Sequence, residues 1–243
     1  MSQLTGPTLI EAQSLYESNA VPSHALGQIG VTGDGRKFRY VKAGGTALVV
    51  GNVLQSAATD TNYSSMAVQA AVSAGATSIP VTLGGTAVTA NQFDGGYLVV
   101  SKVTGIGQSF QIKSHTVQTD TTGTCTFEVD HAVTTALTTS STVTIVKNLY
   151  DAVIVAPTTS TGKRVGGAIF ATVAGEYGWI QSGGLGFALG DATASAAAAQ
   201  ALSPSTTTAG TVTKAVTLDE RVGTSIYVAS VSAEVQPIHW EID

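Results

Sequence analysis

The clearest pattern in the chain is a strict alternation of residues that begins after Gly35. Lys37, Arg39 and Val41 alternate with Phe38, Tyr40 and Lys42. A period of two places these two sets on opposite faces of a β-strand. Gly44 and Gly45 then interrupt the run, and the apolar stretch 47–54 follows. The segment therefore predicts a β-hairpin.

A second block of short apolar runs follows a polar, turn-rich segment at residues 57–65. The runs lie at residues 78–83, 97–103, 109–113, 125–129 and 141–147, with Gly, Asp and Asn between them. Short strands at this spacing are typical of a small antiparallel sandwich or barrel. We expect residues 66–148 to form an inserted small β-sandwich domain.

The third block begins at Leu149 and contains further β-type runs around a glycine cluster at residues 183–186. The runs lie at residues 152–157, 167–173, 176–181, 211–218, 225–235 and 238–243. The linkers at 57–65 and 148–151 flank a self-contained set of strands. We therefore expect residues 31–56 and 149–243 to form one discontinuous, β-barrel-like domain.

Residues 1–30 show no strand alternation. Their apolar residues, Leu9, Ile10, Leu15 and Tyr16, are spaced among polar ones in a way that fits one short helix. We interpret the segment as an extended N-terminal arm. Two roles stay open, a frayed terminus and a tether onto a neighbouring subunit.

Composition supports a fold class of all-β, with antiparallel β-sandwich or barrel modules. Only 11% of the residues are charged, against roughly 25% in an ordinary soluble protein. Thr and Val are abundant, and β-branched side chains lose rotamer freedom in helices but suit a pleated surface. Helical bundles and coiled coils, which depend on Leu, Glu, Lys and Arg, are thereby disfavoured.

Charge and hydropathy narrow the possible partners. The net charge of -5 and the pI of 5.3 argue against nucleic-acid binding, which needs a basic face. No apolar run is long enough to span a membrane. No Lys or Arg precedes Arg36 and no signal-peptide core is seen, so we expect synthesis in a cytoplasm. A single cysteine, Cys125, excludes an intramolecular disulfide, and we expect no cofactor.

Candidate catalytic chemistry is sparse. Glu128 and Asp130 would share one face of a strand with Val129 on the other, but a glycosidase pair needs a cleft lined with aromatics, and only 6% of residues are aromatic. His131 is expected to point to the opposite face, which makes a three-ligand metal site geometrically poor. A solvated strand edge is the favoured interpretation.

The strongest candidate for binding is a basic group that holds four of the eleven positive charges. Its members are Arg36, Lys37, Arg39 and Lys42. The group is either a solvated hairpin or a docking site for an acidic partner surface, since opposed potentials set register and speed association. Tyr177, Trp179 and Trp240 are expected to be core or interface anchors.

Four stretches of sequence carry a family resemblance. Residues 38–51 read Phe-Arg-Tyr-Val-Lys-Ala-Gly-Gly-Thr-Ala-Leu-Val-Val-Gly, 95–100 read Gly-Gly-Tyr-Leu-Val-Val, 105–112 read Gly-Ile-Gly-Gln-Ser-Phe-Gln-Ile, and 153–159 read Val-Ile-Val-Ala-Pro-Thr-Thr. The chain here resembles structural proteins of tailed bacteriophages, especially capsid decoration (cement) proteins. The resemblance covers residues 25–185 and rests on fold-keeping patterns rather than catalytic motifs.

The resemblance implies a non-enzymatic virion protein on the capsid exterior, made in the host cytoplasm. Such a protein binds the outer surface of the head and stabilises the shell by bridging major capsid proteins. It also implies a homo-oligomer, with a trimer preferred. We expect Arg36, Lys37, Arg39 and Lys42 to meet acidic capsid surface, and the arm 1–30 and the C-terminal strand with Trp240 to clasp neighbours.

Two alternatives from other classes remain. A head-fibre or tail-associated receptor-binding protein shares the β-rich, Thr-rich composition, and it would bind host cells or glycans. A virion hydrolase acting on cell-wall glycan through Glu128 and Asp130 is the third possibility.

Overall fold

The structure is a computed structural model that describes residues 6–191, 197–216, 220–227 and 234–243. These described residues contain seventeen β-strands, two short 3-10 helices and no α-helix. The all-β fold class is confirmed. The chain divides into two compact units. We call Thr59–Asn148 the insert unit, and the segments through Ala58 and from Leu149 together the main unit.

The chain enters the main unit with four short strands. They are β1 (Thr8–Leu9), β2 (Ile29–Val31), β3 (Lys37–Lys42) and β4 (Val53–Gln55), with a 3-10 helix at Ala12–Tyr16 between the first two. Strand β1 pairs in parallel with β2, and β2 pairs antiparallel with β3. The sequence pattern identified β3 because its alternating residues lie on a buried and a partly exposed face.

The predicted N-terminal arm is not confirmed, because residues 6–31 pack on their own unit. Leu15 is 1% exposed and Ile10 is 8% exposed, and both join the cluster around Phe38 and Trp179. Asn19 also forms a β-bridge with Tyr177. Leu15 and Ile10 are thus buried in the core of the main unit, although the apolar residues of this segment are too sparse to show a period. Residues 1–5 of the expected arm lie outside the described residues.

The insert unit is a single sheet of six strands. They are β5 (Met66–Ala67), β6 (Ser78–Thr82), β7 (Tyr97–Lys102), β8 (Ser109–His115), β9 (Thr124–Val129) and β10 (Thr142–Val146), after a 3-10 helix at Thr61–Tyr63. The strand order is β5-β10-β7-β8-β9-β6. A bridge between Val68 and Val81 joins the last strand back to the first, so the sheet curls towards closure rather than forming two separate layers.

Alternation along these strands builds the core of the insert unit. In β6, β7 and β10 every second residue is buried, and its neighbours are partly or fully exposed. The buried set includes Ile79, Leu98, Phe110 and Phe127, each at most 1% exposed. All residues of this core come from the insert unit itself. Burial of one face therefore fixes the register of each strand.

Seven strands complete the main unit. They are β11 (Ile154–Val155), β12 (Arg164–Ala168), β13 (Tyr177–Leu189), β14 (Ala201–Pro204), β15 (Val212–Lys214), β16 (Gly223–Ser225) and β17 (Val235–Glu241). Strand β13 is the spine of the sheet. Its first half pairs with β3 on one side and β12 on the other, and its second half pairs with β17.

The glycine cluster lies where β13 changes partners. The pairing with β3 is irregular between Gln181 and Gly183, and Gly184 has a φ of +83°, a conformation that favours glycine. Glycine at an irregularity lets a strand bend without breaking. The sequence pattern predicted a strand that stops near residue 181, whereas the structure continues it to Leu189.

Two bridges bring the sheet of the main unit close to closure. Ala43 pairs with Val153 beyond the end of β3, and Gly190 pairs with Val212 beyond the end of β13. One buried cluster, with Val41, Leu54 and Ile180 among its members, is formed mainly by residues of β3, β4, β12 and β13. A second buried cluster, centred on Trp240, lies among β14–β17.

Limited proteolysis tests the discontinuous organisation. Cleavage near Asp60 is expected to leave both fragments of the main unit associated under native conditions, because β3 pairs with β13 and β4 pairs with β12 across the insertion. Native size-exclusion chromatography followed by a denaturing gel measures this. Release of a stable fragment that ends near Asp60 would contradict the discontinuous unit.

Gly167→Ala tests the packing around Trp240. A Cβ at Gly167 would collide with the indole ring of Trp240, whereas a Cβ at Gly45 meets no heavy atom within 4 Å. Overpacking a filled core costs about 1–3 kcal/mol. We expect Gly167→Ala to lower the free energy of unfolding by that amount in denaturant titrations, and Gly45→Ala to change it little. Equal effects would contradict the assigned packing.

Candidate functional site

The predicted basic group lies on β3 and the residue before it. Phe38 and Tyr40 are buried in the aromatic cluster of the main unit. Lys37 is exposed, and Arg39 is partly exposed on the opposite face of the strand. Alternation therefore brings Lys37 and Arg39 to one face, whereas Lys42 falls on the face of Phe38 and Tyr40.

Arg39 is held by a partner at the other end of the chain. Its Nε and one terminal nitrogen donate to the two carboxylate oxygens of Asp243, at 2.6 and 3.0 Å, and its other terminal nitrogen donates to the Gly27 carbonyl at 2.9 Å. The guanidinium also lies over the ring of Tyr150, 5.4 Å from its centroid. Arg39 thus ties Asp243, two residues beyond the end of β17, to β3 and has little unpaired charge to offer a partner.

The same ion pair shifts both titrations. The hydrogen bond to Asp243 raises the pKa of Arg39, although burial opposes the shift. Burial opposes ionisation of Asp243, but the Arg39 hydrogen bonds and charge outweigh it and hold the pKa of that carboxyl below its usual value. Both groups therefore stay charged at neutral pH.

The other three basic residues differ in how far their charge is compensated. Arg36 pairs with Asp34, with 2.8 Å between Nε and Oδ2. The Nζ atom of Lys42 lies 5.6 Å from the centroid of the Tyr177 ring. Lys37 is exposed. Of the four, Lys37 is the most accessible to a partner surface.

Trp240 is removed from the proposed contact set. Its side chain is 1% exposed and packs in the cluster with Val53, Leu202 and Ile238. Alternation along β17 buries every second residue, and Trp240 falls in the buried register. Its ring therefore anchors the C-terminal strand in the core and presents no surface to a neighbour.

The candidate carboxylates of the insert unit lie near the end of β9. Glu128 is exposed on the strand, and Asp130 follows after the strand has ended at Val129. The Oδ1 atom of Asp130 accepts the Gln111 N–H at 2.9 Å and lies 2.8 Å from Nδ1 of His131. The expectation that His131 points away from Asp130 is wrong, because strand alternation does not extend past Val129. Among the described residues, no group of three or more metal-ligating side chains is found.

Sequence patterns did not reveal the buried polar contacts of the insert unit. His115 has a fully buried side chain. Its Nε2 accepts the Phe93 N–H at 3.1 Å, so Nδ1 is assigned the proton and donates to the Thr116 carbonyl at 3.0 Å. Asp94 lies 3.8 Å away, and burial raises the pKa of its carboxyl. Both ring nitrogens are occupied, so the imidazole ties the turn at Phe93 to β8.

A buried cation in the main unit was also missed. Arg164 is 5% exposed, donates to the side-chain oxygen of Gln55 and lies 3.4 Å from a carboxylate oxygen of Glu220. Burial lowers the pKa of Arg164, and Glu220 opposes that shift. The residue joins β12 to β4 from within the unit, so it is placed for stability rather than binding.

Comparisons with known proteins place no relative beside this chain: no family model, curated protein or solved structure matches it. Among the described residues, no helix is long and apolar enough to cross a membrane.

Arg39→Gln tests the ion pair with Asp243. Charge-assisted hydrogen bonds in a half-buried setting contribute about 1–3 kcal/mol, so we expect the variant to lose stability by that amount at pH 7. Because the pKa of Asp243 is lowered in the folded protein, this contribution is present above the unfolded pKa and is lost as the pH falls through the folded one. The difference between the two proteins should therefore shrink below about pH 4.

Arg36→Gln is the matched control for Arg39→Gln. It removes the same charge from the same strand region, but its partner Asp34 has a side chain that is 58% exposed. Exposed ion pairs contribute little to stability. We therefore expect Arg36→Gln to change the free energy of unfolding little in urea titrations, both at pH 7 and below about pH 4. A loss of stability as large as that of Arg39→Gln would contradict the assigned role of Asp243.

Proposed function

We propose that the chain is a non-enzymatic decoration protein of a tailed-bacteriophage head, which binds the outer surface of the shell and stabilises it by bridging major capsid proteins. The observation that carries the proposal is the combination of an all-β architecture with a charge content of 11%. Surfaces rich in Ser, Thr and Ala can be buried against neighbours without stranding ions, which is costly.

The sequence resemblance supports the proposal through residues that hold the fold. Phe38–Lys42 of the resembling segment contains most of β3, and Leu48 forms the bridge with Thr172. Residues 97–100 form the first part of β7, one of the two central strands of the insert unit. These positions hold the strands together and supply no catalytic side chains. The resemblance therefore supports a role in assembly rather than in catalysis.

The nearly closed sheet of each unit suits a protein that stays attached to a particle. Exposed strand edges invite unwanted pairing with other chains. In the insert unit the Val68–Val81 bridge joins the end strands of the sheet, and in the main unit the Gly190–Val212 bridge joins β15 to the residue after β13, while β1 stays at the other edge. A ligand that binds only the assembled shell stabilises it by mass action, and the decoration role rests on that linkage.

The proposed contact on the main unit is the basic face of β3, and Lys37 is its most accessible member. Arg36 precedes the strand and Lys42 shares the face of Phe38 and Tyr40, so both add partly compensated charge beside this face. Arg39 positions the strand through Asp243. An acidic shell surface would be attracted to this face, and the attraction would weaken with salt. A homo-oligomer, with a trimer preferred, remains part of the proposal.

Co-sedimentation with purified shells that lack this protein tests the proposal. We expect the wild-type chain to pellet with the shells, and Lys37→Glu to bind about 3- to 10-fold more weakly at low salt, with the gap narrowing as salt screens the surface charge. Lys113→Glu is the matched control, because it makes the same charge change at an exposed strand position of the insert unit.

Each outcome is decisive for a different part of the proposal. Failure of the wild-type chain to bind shells would overturn the decoration role. Equal binding by Lys37→Glu and Lys113→Glu would overturn the basic face as the contact and leave the role standing. Binding to host cells or glycans, with none to shells, would favour the head-fibre or tail-associated receptor-binding alternative.

A further inference from the structure

The turn between β7 and β8 presents two large apolar side chains to solvent. The turn comprises Val103–Gly107, with Val103 56% exposed and Ile106 66% exposed. The two residues are three apart in a tight loop, where the Ile106 N–H donates to the Val103 carbonyl at 3.2 Å. The loop therefore forms a small apolar tip at one end of the insert unit.

The backbone of this tip is strained. Val103 has a φ of +64°, in the left-handed region that β-branched residues rarely occupy because Cβ approaches the following carbonyl. Asn or Gly at this position would adopt the same left-handed backbone conformation without the steric cost that a β-branched side chain adds. Strained residues persist where the surrounding structure fixes them, and they cluster at binding sites. The side chain at position 103 thus opposes stability.

Neighbouring loops hold the tip in one conformation. The amide of Gln108 donates to the Gly105 and Thr135 carbonyls at 3.1 and 2.9 Å, and its oxygen accepts the Thr134 N–H at 2.8 Å. Ser141 Oγ donates to the Thr104 carbonyl at 2.8 Å. A tip fixed before binding loses little conformational entropy when it docks.

The surface around the tip is almost uncharged. The loop at residues 130–141 contacts Gln108 through Thr134 and Thr135, and the loop at 72–77 pairs with it through Val72 and Leu137. Both loops consist mainly of Ser, Thr, Ala and Gly. The turn and these loops contain no Lys or Arg, Lys102 is the last residue of β7, and Asp130 pairs with His131. A partner surface that covers this end must itself be uncharged, because a charge buried there would lack a counter-charge. One Lys without Trp or Tyr does not match the cationic and aromatic pattern of lipid-binding surfaces.

We propose that the turn Val103–Gly107 is a docking tip that inserts Val103 and Ile106 into an uncharged apolar pocket of the shell protein. The inference rests on the proposed function, because the shell is the partner which that function names. It adds a contact on the insert unit that is chemically unlike the basic face of β3. Apolar insertion supplies affinity that salt does not screen.

Val103→Asn separates a binding role from a structural one, because the melting temperature should rise while the affinity for shells should fall. Asn tolerates the left-handed backbone, so we expect the melting temperature to rise by about 2–5 °C. The same change removes an apolar side chain from the docking tip. We expect affinity for shells lacking this protein to fall about tenfold, as loss of one buried Val contact predicts.

Two further variants complete the experiment. Ile106→Asn, at a position without a left-handed backbone, should weaken binding and leave the melting temperature nearly unchanged. Val117→Asn is the matched control, since Val117 is also 56% exposed but follows the opposite end of β8. It should bind shells as the wild-type chain does. Co-sedimentation at high salt, where the basic face is screened, measures binding to shells. Thermal denaturation followed by circular dichroism measures the melting temperature.

The outcomes distinguish this inference from the proposed function. Weaker binding by Val103→Asn and Ile106→Asn, with Val117→Asn unchanged, would support the docking tip. Wild-type binding by all three variants would overturn the tip and leave the decoration role in place. Absence of binding by the wild-type chain itself would overturn both.

Discussion

Hydrogen bonding along β13 is the constraint on which the main unit depends. This strand pairs with β3, β12 and β17, so it joins residues from before the insertion to residues from the end of the chain. The glycines near residue 184 allow the change of partner without a break. Because β3 is fixed by this pairing, its cationic face and its aromatic face are fixed together. The candidate contact on the main unit is therefore a consequence of how the sheet closes.

The alternation of residues predicts the strands that bury one face and expose the other. It does not reveal strands that are buried on both faces or contacts between residues far apart in the sequence. Strands β3, β6, β7 and β10 alternate clearly because one face is buried and the other meets solvent. Strand β12 is buried along its whole length, and such strands carry little periodicity. The pairing of Arg39 with Asp243 spans 204 positions, so no local pattern signals it. The sequence pattern predicts Val103 only as the end of the run 97–103 and does not indicate an apolar tip, because backbone strain and exposure are visible only in the fold.

The two proposed contacts rely on different interactions, and each would contribute to attachment in a different way. The basic face of β3 acts through long-range attraction that steers association and weakens with salt. The tip of the insert unit acts only at contact, through burial of apolar surface on a preformed turn. A chain with few charges elsewhere can combine both without large desolvation penalties. Under the proposed function, bridging needs two separate contacts, and we propose one on each unit.

The most direct test of the central claim is electron microscopy of shells with and without the purified chain. The account predicts additional density on the outer surface at regular lattice positions, with decorated shells surviving heat better than bare ones. Density restricted to a vertex or tail, or no density on the particles, would contradict a decoration role.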